Sequence, residues 1–202
     1  MIKQLRLLMI LVVFISSGAF SELYAEEKNY KIIKLVNEQV ITNYDLEQRI
    51  VLYSMLNQVN TDDINELAGK ILYLMVDELL QLEQIKKYNI SVSDIEIDEY
   101  IDRAYLNANN NIDDFNLIFK KNNLDINILR KSIEIKLGWN DLAGRLFYRT
   151  SEINAVDLKN TMDSDPSLSK EQAENNLLQK QIGLRAQKLL RDIRTEATIE
   201  NR

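Results

Sequence analysis

The sequence predicts a mainly α-helical fold, with a compact multi-helix core and a small β-sheet formed by an N-terminal hairpin and a C-terminal strand. Apolar residues recur at helical spacing through most of the chain after residue 43. The 202 residues include only one proline and five glycines, so residues that interrupt helices are scarce. The chain has no cysteine, so no disulfide framework is available and we expect apolar packing to stabilise the fold.

The first 25 residues are predicted to be a signal peptide that is not part of this fold. Lys3 and Arg6 precede the apolar run Leu7 to Ile15, which is too short to span a bilayer, and small residues follow it. We expect cleavage after Ala25, with cleavage after Ala19 as the alternative. An uncleaved membrane anchor is the competing interpretation. A signal peptide predicts export from the cytoplasm. Because no second apolar run reaches transmembrane length, we expect no stable membrane insertion after cleavage.

The segment that follows reads as a β-hairpin. Ile32 to Val36 and Gln39 to Thr42 are two short strands around a polar break at Asn37 and Glu38. Two short strands alone are only marginally stable in water, so a third strand is expected. The segment from Ala197 to Glu200, near the end of the chain, is the candidate, and it would close the fold through the two termini.

Helix one is predicted from about Tyr44 to Gln58, with Asn43 as its N-cap. Helix two is predicted from about Asp63 to Tyr88. Apolar residues lie on more than one side of helix two, so we expect it to be buried on more than one side and to be the central element of the core.

The next helices begin at clear capping signals. Ser93 and Glu96 form a capping box at the start of helix three. A short helix four would carry Phe115, Ile118 and Phe119 on one face. Helix five follows from Ile126 to about Arg149, with Asp125 as its cap.

The C-terminal part contains the one obvious linker, the polar stretch Asn160 to Lys170, which holds the only proline. A short segment from Ser151 to Met162 leads into it. A capping box of Ser169 and Gln172 starts the last helix, which we expect to run to about Arg194 and to pack against helices one and two.

Several of these segments resemble one known family. "LVNEQVITNYDLEQRI", "LMVDELLQLEQIKKYNISVSDIEIDEYI" and "LRKSIEIKLGWNDL" resemble the N-terminal domain of SurA-type periplasmic chaperones, and "LRAQKLLRDIRTEATIENR" is similar to the family's C-terminal helix and strand. The resemblance implies a core built from the N-terminal helices and the C-terminal helix. It also implies periplasmic localisation and a role in binding unfolded outer-membrane proteins or other extended polypeptides and in assisting their delivery.

The sequence departs from that family pattern in its middle. One or two parvulin-type prolyl isomerase domains commonly lie between the two parts of the core, whereas only residues 160–170 stand there in this chain. After the predicted signal peptide (1–25), the resemblance therefore implies a helical chaperone domain (26–159), a linker in place of an isomerase domain (160–170), and a helix and strand that complete the same domain (171–202). We expect no isomerase activity.

Composition excludes several other functions. The chain has no histidine, the usual general base at neutral pH, and no cysteine, so thiol nucleophiles and most zinc sites are excluded. The acidic run "DIEIDE" is interpreted as a solvated helix start, and a divalent-ion site is the competing interpretation. We predict no catalytic residue, no metal and no cofactor. The net charge of −6 argues against nucleic-acid binding.

Methionine and aromatic side chains suggest where a polypeptide could bind, because they suit an adaptable apolar surface. Burial in the core is the competing interpretation for each of them. The predicted peptide-binding residues are Tyr53, Met55, Leu56, Tyr73, Met75, Tyr105, Phe115, Phe119 and Trp139. The three on helix one are the strongest candidates, because that helix has more apolar faces than a peripheral helix needs.

Two functions follow from these observations. The first is an ATP-independent periplasmic chaperone, and the alternative is an exported helical adaptor that binds a single folded envelope partner. The sequence leaves the oligomeric state open.

Overall fold

A computed structural model describes residues 30–58, 64–106 and 112–202, and residues 32–202 belong to one structural unit. The predicted signal peptide lies outside the described residues. The strands are β1 (Ile32–Val36), β2 (Gln39–Thr42) and β3 (Ile199–Asn201). The α-helices in the described part are α1 (Asn43–Asn57), α2 (Ile64–Lys87), α3 (Asp94–Tyr105), α4 (Ile112–Lys121), α5 (Ile126–Phe147), α6 (Ala155–Ser164) and α7 (Lys170–Glu196).

The predicted fold class is confirmed, including the small sheet that joins the hairpin to the C-terminal strand. The sheet is antiparallel with the order β2-β1-β3, so β1 lies between its hairpin partner and β3. Val36 faces Ile199 across the pair. The Asn37 backbone N–H donates to the Thr198 carbonyl at 2.8 Å, and the Thr198 N–H donates to the Asn37 side-chain oxygen at 3.0 Å. The third strand begins two residues later than predicted.

The start of α1 corrects one detail of the sequence prediction, because Thr42 and not Asn43 is the N-cap. Thr42 is the last residue of β2 and keeps an extended backbone, so its hydroxyl can accept from the Asp45 N–H at 3.1 Å. The Asp45 carboxylate accepts from the Thr42 N–H at 2.9 Å and completes a capping box. This cap joins the hairpin rigidly to α1.

Helix α2 is the centre of the core, as predicted, and packs against β1, α1, α5 and α7. Its Ile71, Val76 and Leu80 are buried in a cluster with the inward side chains of the sheet. Further along the helix, Leu82 and Ile85 belong to a second cluster with α5 and α7. One helix therefore supplies buried side chains to two of the three apolar clusters of the core.

Helices α3 and α4 pack on the other side of α5. The predicted capping box of Ser93 and Glu96 is confirmed. Phe115 and Phe119 of α4 are buried in a third cluster, as their common face predicted. Ile118 is 44% exposed, because it directly precedes Phe119 and therefore lies at the edge of the face that Phe115 and Phe119 share.

The C-terminal part differs from the prediction in two ways. Residues 160–164 belong to α6 and Lys170 begins α7, so the connection without helix is only residues 165–169. The capping box of Ser169 and Gln172 is confirmed. Helix α7 packs against α2, as predicted, but its other main neighbours are α5 and α6, where we had expected α1. Its buried Ile182 and Ala186 enter the cluster that α2 shares with α5, which explains this placement.

Candidate functional site

An open cleft with a volume of about 500 Å³ lies where β2, the first turns of α1, the middle of α2 and the first turns of α5 come together. Its floor is apolar and consists of the buried side chains of Ile41, Met75, Leu82 and Ile135. The polar residues that line it include Gln48, Asn127 and Ser132. The cleft thus offers an apolar surface bordered by hydrogen-bonding groups, a common arrangement in sites that bind organic ligands or peptides.

The wall between α1 and α2 contains an ion pair. Arg49 of α1 pairs with Glu78 of α2, and their side chains are 16% and 26% exposed. Burial raises the pKa of the Glu78 carboxyl, and the Arg49 guanidinium opposes this shift without cancelling it. The pair fixes the spacing of α1 and α2 beside the cleft.

The wall formed by α5 is also held by local hydrogen bonds. Asp125 caps the helix as predicted and accepts from the Asn127 N–H at 2.9 Å. Lys131, which lines the cleft, forms an ion pair with Glu134 at 2.8 Å. Both cationic side chains in the cleft, Lys131 and Arg49, therefore already have carboxylate partners. This arrangement favours an uncharged ligand of mixed polarity over an anion such as a nucleotide.

One polar atom beside the cleft has no hydrogen-bond partner among the described residues. The Gln48 side-chain oxygen is buried and makes no such bond, although Gln48 lines the cleft. A buried acceptor without a donor costs about 1–3 kcal/mol.

Five of the nine predicted peptide-binding residues meet in one apolar cluster between α1, α3, α4 and α5. They are Met55, Leu56, Tyr105, Phe115 and Phe119. The Tyr105 and Phe115 ring centroids are 6.0 Å apart, and those of Phe115 and Phe119 are 5.0 Å apart. Phe115 and Phe119 are 8% and 1% exposed, so in this conformation they pack the core, whereas Met55, Leu56 and Tyr105 are half-buried.

The other four predicted residues lie apart from that cluster. Met75 is buried beneath the sheet and is the only one of the nine that lines the cleft. Trp139 is buried in the cluster between α5 and α7. Tyr53 and Tyr73 are 37% and 52% exposed. Whether any of the nine contacts a polypeptide stays a prediction.

Tyr73 has a structural partner that the sequence did not reveal. The Arg194 guanidinium lies 3.8 Å from the Tyr73 ring centroid and also forms an ion pair with Asp77. Burial raises the pKa of the Asp77 carboxyl, and Arg194 opposes that shift. These contacts fasten the end of α7 to α2.

The sequence prediction missed most of the cleft. Val40, Gln48, Arg49 and Glu78 line it, and none of them was a candidate. Glu78 did leave a signal, since it and the adjacent Asp77 are the acidic residues within the apolar stretch from Ile71 to Leu82. The partner of such a residue cannot be identified from one sequence, because Arg49 lies on a different helix.

The described residues contain neither a metal-binding cluster nor a membrane-spanning helix. Within the described ranges, no three or more aspartate, glutamate, histidine or cysteine side chains are placed to hold a metal ion. No helix in these ranges is long and apolar enough to cross a membrane.

Comparison with known proteins identifies the family. A family model described as the SurA-like N-terminal domain matches residues 1–142, more than half of the chain. The chain belongs to the SurA-like N-terminal domain family. The SurA-like match ends within α5, so α6, α7 and β3 lie beyond it.

Two relatives illustrate the extent of the similarity. Chaperone SurA of Buchnera aphidicola subsp. Schizaphis graminum (strain Sg) is 30% identical over 141 residues, which are 67% of this chain and 30% of that protein. The chain thus spans less than a third of the length of this curated relative. A solved structure from work on two SurA-like chaperones of Campylobacter jejuni covers 85% of this chain and 98% of its own, with 16% identity and a TM-score of 0.40. A sequence identity of 16% and a TM-score of 0.40 do not establish a shared overall fold.

Proposed function

We propose that the protein is an ATP-independent periplasmic chaperone that binds unfolded outer-membrane proteins, or other extended polypeptides, and assists their delivery and folding. One observation carries the proposal: a chain of the SurA-like N-terminal domain family has an open cleft with an apolar floor and charges that are already paired. The Buchnera relative is itself named a chaperone.

The chemistry of the cleft fits such clients. Strands of outer-membrane barrels alternate apolar and polar residues. When such a segment is extended, its apolar side chains can lie on the floor at Met75 and Leu82 while its backbone meets polar groups such as Gln48. Each contact is small, so binding is weak and tolerant of sequence. Release then requires no nucleotide.

The domain organisation and localisation belong to the same proposal. Residues 1–25 act as a signal peptide for export to the periplasm, and residues 26–159 and 171–202 form the chaperone domain. The short connection after α6 stands where relatives of the wider family commonly carry an isomerase domain. We expect this chain to have no isomerase activity of its own.

The test is an aggregation assay with two unrelated unfolded outer-membrane proteins at stoichiometric amounts of chaperone. We expect the protein to slow the aggregation of both clients. Ile128→Gln, at the start of α5 in the cleft, should weaken this effect. Leu117→Gln is the matched control, because Leu117 is 61% exposed on α4 and does not line the cleft.

Failure to slow the aggregation of either client would contradict the proposal. Capture of a single folded envelope protein by the same preparation would then support the adaptor function.

A further inference from the structure

The sheet has a free edge beside the cleft. Strand β2 is the outer strand in the order β2-β1-β3, and no further strand pairs with it within residues 30–58, 64–106 and 112–202. An outer strand presents unpaired backbone N–H and C=O groups, which can pair with another extended chain.

The register shows which backbone groups point outward. The Asn37 N–H donates to Thr198 and the Ile33 carbonyl accepts from Arg202, so the backbone groups of both residues point toward β3. Residues two apart in a strand point their backbone groups to the same side, so those of Leu35 also point toward β3. Leu35 faces Val40 across the hairpin. Leu35 and Val40 are therefore a non-hydrogen-bonded pair. In such a pair, the backbone N–H and C=O groups of both residues point away from the partner strand. The Val40 N–H and C=O therefore point to the free edge of β2.

The cleft runs along this edge. Side chains of consecutive residues in a strand point to opposite faces of the sheet, and the exposures of Val40 (47%) and Ile41 (2%) follow this rule. Both residues nevertheless line the cleft. A space that is lined by two consecutive residues whose side chains point to opposite faces lies at the edge of their strand.

The two edges of the sheet differ in their protection against pairing. Proteins protect free edges with charged residues and with very short strands. Strand β3 has both features, since it is three residues long and its Glu200 pairs with Arg202 at 2.7 Å. Strand β2, with the sequence QVIT, has no charged residue and no proline. The unprotected edge is the one beside the apolar cleft.

We propose that an extended client segment with alternating apolar and polar residues adds to the sheet as a fourth strand, through hydrogen bonds to the outward backbone groups of Val40. This inference rests on the proposed function and names its mode of binding. The side chains on one face of the added strand contact the apolar floor at Ile41 and the neighbouring Leu79. Those on the other face meet solvent beside Val40. Because the cations of the cleft are paired, the preferred segment is uncharged.

The first test uses synthetic ten-residue peptides that alternate valine and threonine, with binding to the full-length chain followed by fluorescence anisotropy. N-methylation of every second residue blocks hydrogen bonding along one edge of an extended peptide and leaves the other edge intact. We expect methylation of one alternate set to abolish binding and methylation of the other set to be tolerated. Equal effects of the two sets would overturn strand addition.

The second test changes the protein. Val40→Pro removes the outward N–H, which is not part of the β1–β2 ladder, and proline is tolerated on edge strands. We expect the affinity for the unmethylated peptide to fall about fivefold or more, the effect of losing one backbone hydrogen bond. Val40→Thr is the conservative variant, which retains the N–H and the β-branched shape, so it should bind the peptide more tightly than Val40→Pro does. Circular dichroism of both variants reports the fold.

The outcomes separate this inference from the proposed function. If Val40→Pro folds, and both variants bind the peptide and slow client aggregation like wild type, the chaperone function stands and strand addition is wrong. If wild type neither binds peptide nor slows aggregation, both proposals fail. Sedimentation gives a third outcome, in which wild type is a dimer, Val40→Pro is a monomer and the two bind the peptide with the same affinity. In that case the edge of β2 joins two copies of the chain, and strand addition is again wrong.

Discussion

Removal of the C-terminal strand tests how the two ends of the chain hold the fold together. A truncation after Glu196 deletes β3 and its pairing with β1, including the bonds from the Asn37 N–H to Thr198 and from the Arg202 N–H to Ile33. It also deletes Ile199, which packs against the buried cluster beneath the sheet, and leaves β1 as a new edge.

The structure allows the size of this effect to be estimated. The lost backbone bonds contribute about 1 kcal/mol each, or about 2–4 kcal/mol together. Ile199 is half-buried, so its burial contributes about 0.8–1.5 kcal/mol, half the value for a fully buried isoleucine. Since the total stability of a domain is about 5–15 kcal/mol, the deletion removes a large part of it. The expected decrease in Tm is at least about 6 °C.

Calorimetry and limited proteolysis measure these effects. We expect the truncated protein to melt earlier and to be cut near Asn37, where the hairpin turn loses its bonds to Thr198. Glu200→Ala is the control, because this exposed side chain faces solvent and its loss should change stability by less than about 0.5 kcal/mol. A truncated protein with the Tm and the protease resistance of the full chain would refute the closure of the fold by its termini.

Three further predictions concern helix packing, charge and activity. Gly183→Ala should stabilise the protein by about 0.5–1 kcal/mol in urea unfolding, since a Cβ there meets no atom within 4 Å. Gly138→Ala should stabilise it less, because its Cβ would lie 3.1 Å from the buried Ile85 side chain. An equal gain in stability from the two substitutions would contradict this packing. Burial raises the pKa of Glu78 in the folded state, so its contribution to the free energy of unfolding falls as pH rises above the unfolded pKa. Wild type should therefore be more stable relative to Glu78→Gln at acidic than at neutral pH in urea titrations, and the opposite trend would contradict the stated shift. A proline-peptide assay should detect no isomerase activity, and catalysis proportional to protein and lost on denaturation would refute this.

Local rules explain why so much of the fold could be predicted. The capping boxes at Ser93 and Ser169 depend only on residues three apart, and both are confirmed. The third strand could be predicted because a lone hairpin is marginal and residues near Ile199 have strand propensity. The cap of α1 was misassigned by one residue because Thr42 and Asn43 are both good caps, and only the end of β2 decides between them.

The candidate site was harder to predict because it is assembled from distant segments. Tyr73 and Trp139 are both aromatic residues on helices, yet α7 buries Trp139, whereas it covers one face of Tyr73 with Arg194 and leaves half of the residue exposed. The sequence does not contain that difference, since it depends on where α7 packs. The free edge of β2 likewise follows from the strand order, which the hairpin alone does not determine.

The most direct test of the account is site-specific crosslinking to an unfolded outer-membrane protein. The chain has no cysteine, so a single introduced thiol carries a photocrosslinker at one position only. Ser132→Cys places it in the cleft, and Ser167→Cys places it in the connection between α6 and α7 as the control. We predict crosslinks from position 132 to the unfolded client and not to its folded form, with few from position 167. Equal crosslinking from both positions, or none from position 132, would contradict binding in the cleft.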